Sequence, residues 1–345
     1  MRFDGFGGLV RLSNSWRVFI FALLWLVLIT SLHFSLNVQK SSRKIIKMGY
    51  MPVISNLAAP ILDHVTKEGD GIRFEAVKFS SFAEMAEALR NGHIQVAFII
   101  APLSIVLRQQ GEDVKVVYIG NRHESTLVVA KEKSVSRFED LAGMTIAVPI
   151  RYSGHYLCMQ KTMEKYGMKG KIHIVEMNPP DMASALMAGS LDGYFVGEPF
   201  AAKSVKSGHA RVVHYVEELW PDFMCNLMVV KGDFIKKDPG TVRRLVQSAA
   251  RAGVWASRNT AEAAAIVSGY WNQPVDFVEY ALSNPPGRIQ YMHYTPDIGQ
   301  FHEMAGLMVR FGLIADDKVD GLVDARFALG TDLNGIGDVD SILVR

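Results

Sequence analysis

The sequence predicts an α/β protein of two lobes with a cleft between them, joined by two extended crossings and continued by a helical C-terminal region. Three observations predict it. From Ile45 onward, short β-rich runs alternate with stretches of helical periodicity, the pattern of a mostly parallel sheet covered by helices on both faces. The alternation restarts after "STLVVAKE", which calls for a second, smaller unit. Beyond "CNLMVV" the chain is nearly all helical in period. Its 345 residues suffice for two cores, since domains typically hold about 100 to 200.

The N-terminus stands apart. Arg2, Arg11 and Arg17 precede "VFIFALLWLVLIT" (18–30), an uninterrupted apolar run of the length expected for the core of an export signal. Extended to Leu36 it admits Ser31, His33 and Ser35 and gives 19 residues, enough to span a bilayer as an uncleaved anchor. No small-x-small cleavage site and no lipid-accepting cysteine follow. Cleaved signal and retained anchor both stay open, and the positive flank favours an N-terminus left inside. A short polar linker, "NVQKSSRK", ends the segment.

In the first lobe "KIIKMGY" reads as a strand. Asn56 is placed to cap a helix with Leu57, Ile61, Leu62 and Val65 on one face. "IRFEAVKF" alternates as a strand, Ser81 opens a helix with Phe82, Met85 and Leu89 inward, and Gly92 stops it. "IQVAFII" and "VKVVYIG" are strands around a helix beginning near Leu103. In the second lobe Phe138 to Leu141 form a short helix and "MTIAVP" a buried strand, and Ser153 to Tyr166 form an amphipathic helix ended by Gly167. "KIHIVEM", a helix from Asp181 to Ala188, and "DGYFVG" repeat the unit. Helices follow over 241–259, 261–271, 275–282 and 296–311. The expected division is 1–43 for signal or anchor plus linker, 44–128 with 225–345 for lobe one, and 129–224 for lobe two.

Composition excludes several classes. A formal net charge of +2, with Lys and Arg spread along the chain, gives no basic patch for nucleic acid. Two cysteines, Cys158 and Cys225, are neither a disulfide framework nor a zinc set; they read as buried small apolar residues, with a single bridge as the alternative. "TDLNGIGDVD" (331–340) lacks EF-hand spacing and reads as an acidic turn segment. No phosphate loop, HExxH, nucleophile elbow or dinucleotide fingerprint occurs, so neither catalytic residues, metal nor cofactor is expected.

In open parallel sheets a ligand lies beyond the carboxyl ends of the strands. The loops there are "YMPVISN" (50–56), "APLS" (101–104), "PIRYSGHY" (149–156) and "GEPF" (197–200), with "CNLMVV" as the second crossing. They give the candidate ligand residues: Met51, Pro52, Asn56, Pro102, Ser104, Ser153, Gly154, His155, Tyr156, Glu198 and Asn226. The helix opening at Ser153 presents free N–H groups, which favour negative charge; His155 adds a donor and Arg151 a full charge. Ser153 equally suits an ordinary N-cap. Glu198, before Pro199 as first helical residue, equally suits a dipole-favoured acid. The Met and Tyr content, Met51, Met159, Met177 and Met228 with Tyr50, Tyr152 and Tyr156, reads mostly as core and alternatively as an adaptable cleft for an organic ligand.

The stretch "VEMNPPDMASALMAGSLDGYFVGEPF" (175–200) resembles the one that characterises nitrate and bicarbonate binding proteins of ABC importers. These are relatives of sulfonate, taurine and thiamin-pyrimidine binding proteins in the NMT1/THI5-like periplasmic binding superfamily. Pro179, Pro180, Met182, Gly189, Asp192, Gly193, Gly197, Glu198, Pro199 and Phe200 match in order; a weaker likeness runs from about Ile45 to Phe234. The resemblance implies a type II-like periplasmic binding fold, a monomer that closes on a small anionic or organic solute and delivers it to an ABC permease in the inner membrane. It places His155 at a ligand-contacting histidine and Glu198 in the cleft lining. The chain departs from the family in Gly154-His155-Tyr156, in Phe200 where tryptophan is commoner, and in lacking a recognisable basic ligand residue in the C-terminal region. The alternatives are a binding protein or biosynthetic enzyme for pyrimidine precursors, and a membrane-tethered sensory module.

Overall fold

The computed structural model describes residues 14–38, 43–69 and 71–344. The chain divides into an N-terminal unit and an α/β body that begins at Ile45. Helix α1 (Asn14–Val38) belongs to the first. Its span Asn14–Phe34, 21 residues with a mean hydropathy of 2.0, is long and apolar enough to cross a membrane, and it is apolar all round. At about 1.5 Å per residue it reaches roughly the ~30 Å of a hydrocarbon core. Arg2 and Arg11 of the expected positive flank, and residues 39–42 of the linker, lie outside the described residues.

The body is built on two five-stranded sheets of the same plan. In the first, β1 (Ile45–Tyr50), β2 (Arg73–Lys78), β3 (Val96–Ile100), β4 (Val114–Ile119) and β10 (Asn226–Lys231) lie in the order β2-β1-β3-β10-β4. In the second, β5 (Ser125–Ala130), β6 (Thr145–Val148), β7 (His173–Glu176), β8 (Gly193–Gly197) and β9 (Ala210–Tyr215) lie in the order β7-β6-β8-β5-β9. Each sheet has a parallel triplet, and each is mixed rather than mostly parallel. The reason is topological: the strand following a crossing, β5 or β10, inserts antiparallel to both its neighbours.

Helices α2 (Ala58–Thr66), α3 (Phe82–Arg90), α4 (Ala101–Gln109), α5 (Gly154–Lys165), α6 (Pro179–Met187) and α7 (Phe200–Lys206) connect these strands. The caps explain their limits. The Ser81 hydroxyl accepts from Ala83 N–H at 3.2 Å and the Ser153 hydroxyl from Tyr156 N–H at 3.1 Å. Gly92 and Gly167, both at positive φ, follow the C-caps of α3 and α5 and reverse the chain there. Asn56 is not a cap: it lies in a 3-10 turn (Ile54–Asn56) and its amide donates to the Met51 and Phe98 carbonyls, while α2 starts after Leu57 without a side-chain cap.

The short helices α8 (Val216–Leu219) and α9 (Gly232–Lys237) flank the second crossing. Then α10 (Pro239–Arg258), α11 (Thr260–Trp271), α12 (Val275–Ser283) and α13 (Ile298–Arg310) follow. This region does more than continue the first lobe. While α10 and α11 pack on α2, α12 packs on α7, and α13 touches both α4 and α5, so the C-terminal helices strap the two lobes together. Val53, from the loop after β1, packs into the core of the second sheet with Val128, Tyr194 and Phe200. Both lobes are therefore in contact along the seam.

Candidate functional site

The loops beyond β1, β3, β6 and β8 meet at the seam between the lobes. Ile54 N–H, from the first, donates to the Glu198 carbonyl at 2.8 Å. Met51, Pro52, Asn56, Pro102, Ser104, Ser153, Gly154, His155, Glu198 and Asn226 are all buried, and Tyr156 is half-buried. These residues are thus part of the packed seam. Several polar groups among them are locally satisfied: Ser153 caps α5, Ser104 donates to the Ala101 carbonyl at 2.6 Å, and Tyr156 receives the Gln160 amide at 2.8 Å. Arg151 is exposed and contributes no buried charge.

Glu198 sits before Pro199, which is the N-cap of α7 rather than its first helical residue. Its carboxylate is fully engaged. Oε1 accepts from the Thr126 hydroxyl at 2.6 Å, Oε2 accepts from Ala202 N–H at 2.7 Å, and Arg288 Nη1 stands 3.9 Å from Oε1. Burial pushes its pKa up, against the pull of Arg288 and the two hydrogen bonds. The group ties strand β5, helix α7 and the C-terminal segment together.

A second carboxyl, Glu124, lies beside it. Glu124 is 0% exposed; its Oε1 accepts from the Ser55 hydroxyl at 3.1 Å and its Oε2 from Glu198 N–H at 2.8 Å. Gly197 makes this possible, because a Cβ there would lie 2.6 Å from Glu124 Oε1. Burial, with Glu198 nearby adding to it, raises the Glu124 pKa to about 8, opposed by the Cys225 and Ser55 hydrogen-bonding groups and by Arg288. At neutral pH Glu124 is largely uncharged.

His155 opens α5 facing the first crossing. Its Nε2 is 2.9 Å from the Ser125 hydroxyl and 3.9 Å from the Cys225 sulfur, and its ring meets Phe195 edge-on at 5.1 Å. Burial lowers its pKa to about 3, so the ring is neutral. The buried Cys225 thiol, free like Cys158, is pushed well up by burial and by Glu124. Among the described residues, buried side-chain atoms at or near the crossings without a hydrogen-bond partner include His155 Nδ1, Asn56 Oδ1 and Asn226 Nδ2, while Arg288 Nη1 has only the Glu198 carboxylate at 3.9 Å and the Tyr291 hydroxyl and the Asn121 amide face one another. Such orphans each cost about 1 to 3 kcal/mol unless something meets them.

Sequence reasoning missed Glu124, Ser125, Asn121, Arg288 and Tyr291. The first three lie in "NRHES", where two charges follow a buried strand directly at a crossing, a visible signal. Arg288 lies in "NPPGRIQ", a turn-rich break in an otherwise helical tract. It is 8% exposed and donates Nη2 to the Ser125 carbonyl at 2.5 Å and Nε to Glu217 at 3.1 Å, over the Tyr215 ring. It is a buried base in the C-terminal region, where sequence reading found none.

A model of the NMT1-like family matches residues 39–268. The taurine-binding periplasmic protein of Escherichia coli (strain K12) is 28% identical over 189 residues, covering 54% of this chain and 58% of that protein, so the chain spans little more than half of that relative. Among solved structures, the ligand-binding component of an ABC-type import system from Staphylococcus aureus, with zinc bound, superposes with a TM-score of 0.76 at 21% identity, covering 84% of this chain and 100% of that one. The periplasmic nitrate-binding protein NrtA from Synechocystis PCC 6803 does so with a TM-score of 0.73 at 15% identity, covering 86% and 91%. At these identities the likeness carries the fold, a two-lobed periplasmic binding architecture.

Proposed function

We propose that this chain, which belongs to the NMT1-like family, is the solute-binding component of an ABC import system of the nitrate, sulfonate and taurine type. It takes a small oxyanion or an organic solute carrying one between its lobes. The lobes follow the two sheets, with the expected boundary after 128 moved to 124 because β5 (Ser125–Ala130) belongs to the second sheet: 44–124 with 225–345, and 125–224, the C-terminal helices acting as a strap. The observation that carries this reading is the group of buried polar atoms at the crossings without hydrogen-bond partners: Asn226 Nδ2 as a donor, His155 Nδ1 as a donor in the tautomer whose Nε2 accepts from Ser125, and Arg288 Nη1, which has only the Glu198 carboxylate at 3.9 Å. Of the candidate ligand residues, Asn56, His155 and Asn226 contribute atoms to that group. Helix α1 holds the protein to the inner membrane or exports it, so that the body works in the periplasm beside a permease.

One observation favours a second reading. His155 is held neutral, Glu124 is largely uncharged, and Arg288 is paired with Glu217 at 3.1 Å. That balance suits an uncharged solute such as a pyrimidine precursor.

Thermal unfolding decides between the two. A solute at about one hundred times its Kd stabilises by about 2.7 kcal/mol, a rise of several degrees in Tm. Nitrate, bicarbonate, sulfate, alkylsulfonates and taurine are compared with neutral pyrimidines, on the wild type and on His155→Ala. An anion shift that is lost in the variant supports the first reading; a shift with pyrimidines alone replaces it with the second.

A further inference from the structure

The two crossings meet at one residue. Arg122, in the first (120–124), forms antiparallel bridges on both sides, to Met224 in the second (220–225) and to Gln290 in the segment that precedes α13. The pairing with Gln290 is reciprocal: Arg122 N–H donates to the Gln290 carbonyl at 2.8 Å and Gln290 N–H to the Arg122 carbonyl at 3.0 Å, while Ile119 N–H reaches the Tyr294 carbonyl at 2.8 Å. The joint between the sheets therefore has three strands. The third comes from the C-terminal region.

The Arg122 side chain repeats this connection. Its buried guanidinium donates Nη1 to the Asp222 carbonyl, Nε to the His293 carbonyl at 3.3 Å and Nη2 to Gln300 Oε1 at 2.9 Å. One fork thus holds the turn before the second crossing, the third strand and α13. The backbone beside it is strained: His123 has φ 69° and Asp222 φ 57°, and His123 Nε2 accepts from Asp222 N–H at 3.2 Å. Among the described residues only one other non-glycine residue is left-handed, Asn272, the C-cap of α11. Strain of this kind persists where the surroundings hold it, and gathers at clamps and switch regions.

We propose that Arg122 is a positioning residue for solute binding, its fork holding the lobes in the arrangement seen here, with the packed seam, and so setting the closed fraction. The proposal rests on the solute-binding reading above and adds the group that controls closure. Swinging the second lobe away carries the Asp222 turn off the C-terminal region, and the guanidinium cannot then keep Asp222 together with His293 and Gln300. Each opening forfeits at least one charge-assisted hydrogen bond, about tenfold or more in the ratio of closed to open. A solute held only by the closed form binds in proportion to that fraction.

Spin labels on Glu87→Cys/Met187→Cys, in the full chain in detergent and without solute, read the lobe separation directly. Arg122→Lys keeps the charge, but one nitrogen cannot span the three acceptors; Gln300→Met removes a single arm and spares the crossings. Both are expected to move the distance distribution toward its longer end, Arg122→Lys the further. Arg251→Lys is the control, because Arg251 makes a similar buried fork where α10 meets the C-terminal segment, to the Ser341, Asp332 and Asn334 carbonyls. It should lower Tm and leave the distances unchanged. A distribution in Arg122→Lys that coincides with the wild type, or an equal shift in Arg251→Lys, overturns the proposal. Taurine and nitrate are then titrated into each protein. A probe that binds the wild type should bind Arg122→Lys about tenfold more weakly, and equal affinity also overturns the proposal. Failure of both probes to bind the wild type counts against the solute-binding reading alone, since the label distances still decide the role of Arg122.

Discussion

Glu198 follows a glycine and precedes a proline, and its carboxylate meets Thr126, Ala202 N–H and Arg288. The charge braces β5 and α7, so its removal is felt as folding energy. In Glu198→Gln the amide oxygen still accepts from Ala202 N–H and its NH₂ can donate to Thr126, so a thermal melt should show a loss of only ~1 kcal/mol. Glu198→Ala strips both hydrogen bonds and leaves the Arg288 guanidinium buried beside a void, a loss of about 3 to 5 kcal/mol. Equal losses in the two variants would contradict the brace. Glu124 supplies a pH signature. Its folded pKa of about 8 exceeds its ordinary 4.5, so its contribution to stability is complete below pH 4.5 and is lost as pH rises through 8. His155 works in the opposite sense, from an ordinary 6.5 down to about 3, and its effect is complete above pH 6.5. Between pH 6.5 and 8 the decline belongs to the buried carboxyls, Glu124 with its neighbour Glu198, whose pKa is also raised by burial: Tm should fall there in the wild type and fall less steeply in Glu124→Gln. His155 was legible from the sequence because it opens a helix in a loop beyond a strand. Glu124 and Arg288 belong to no motif, and their partners lie 74 and 163 residues away in the chain, so only folding brings them together.

Strands and caps were legible because each depends on a few adjacent residues. The Ser81 and Ser153 caps and the glycine stops at 92 and 167 follow from local chemistry alone. Asn56 looked like another cap, yet its amide is used by two carbonyls, one of them 42 residues distant, and a local rule does not register such competition. The antiparallel placement of β5 and β10 was hidden for the same reason: strand character is local, direction in the sheet is not. Gly197 ends β8, and its role is to leave room for Glu124. Gly197→Ala is therefore expected to cost about 1 to 3 kcal/mol in denaturant unfolding, typical of overpacking. An unchanged midpoint would show that the Glu124 carboxyl is free to move. Combining Gly197→Ala with Glu124→Gln should not relieve the strain, since the amide has the same size.

At the scale of the molecule, the two lobes were legible as a repeat of the αβ alternation, whereas the strap was not, because helical periodicity does not say which lobe a helix covers. Lys206 meets Asp276 at 2.7 Å and Arg310 meets Glu164 at 2.7 Å, each pair linking a helix of the second lobe to the C-terminal region. Exposed pairs of this kind are worth about 0.2 to 1 kcal/mol. Asp276→Asn with Arg310→Gln should then weaken solute binding by up to roughly thirtyfold, and raised salt should weaken it in the wild type but hardly further in the double variant. The central claim is that a solute is held by lobes closing at the crossings. It is tested most directly by the distance between spin labels at Glu87 on α3 and Met187 on α6, both exposed, with Cys158 and Cys225 buried. Electron–electron resonance on Glu87→Cys/Met187→Cys is expected to give a broad distribution without solute. With the solute that most raises Tm, it should give a single narrow population at the shorter end. A distribution unchanged at saturating solute would contradict the account.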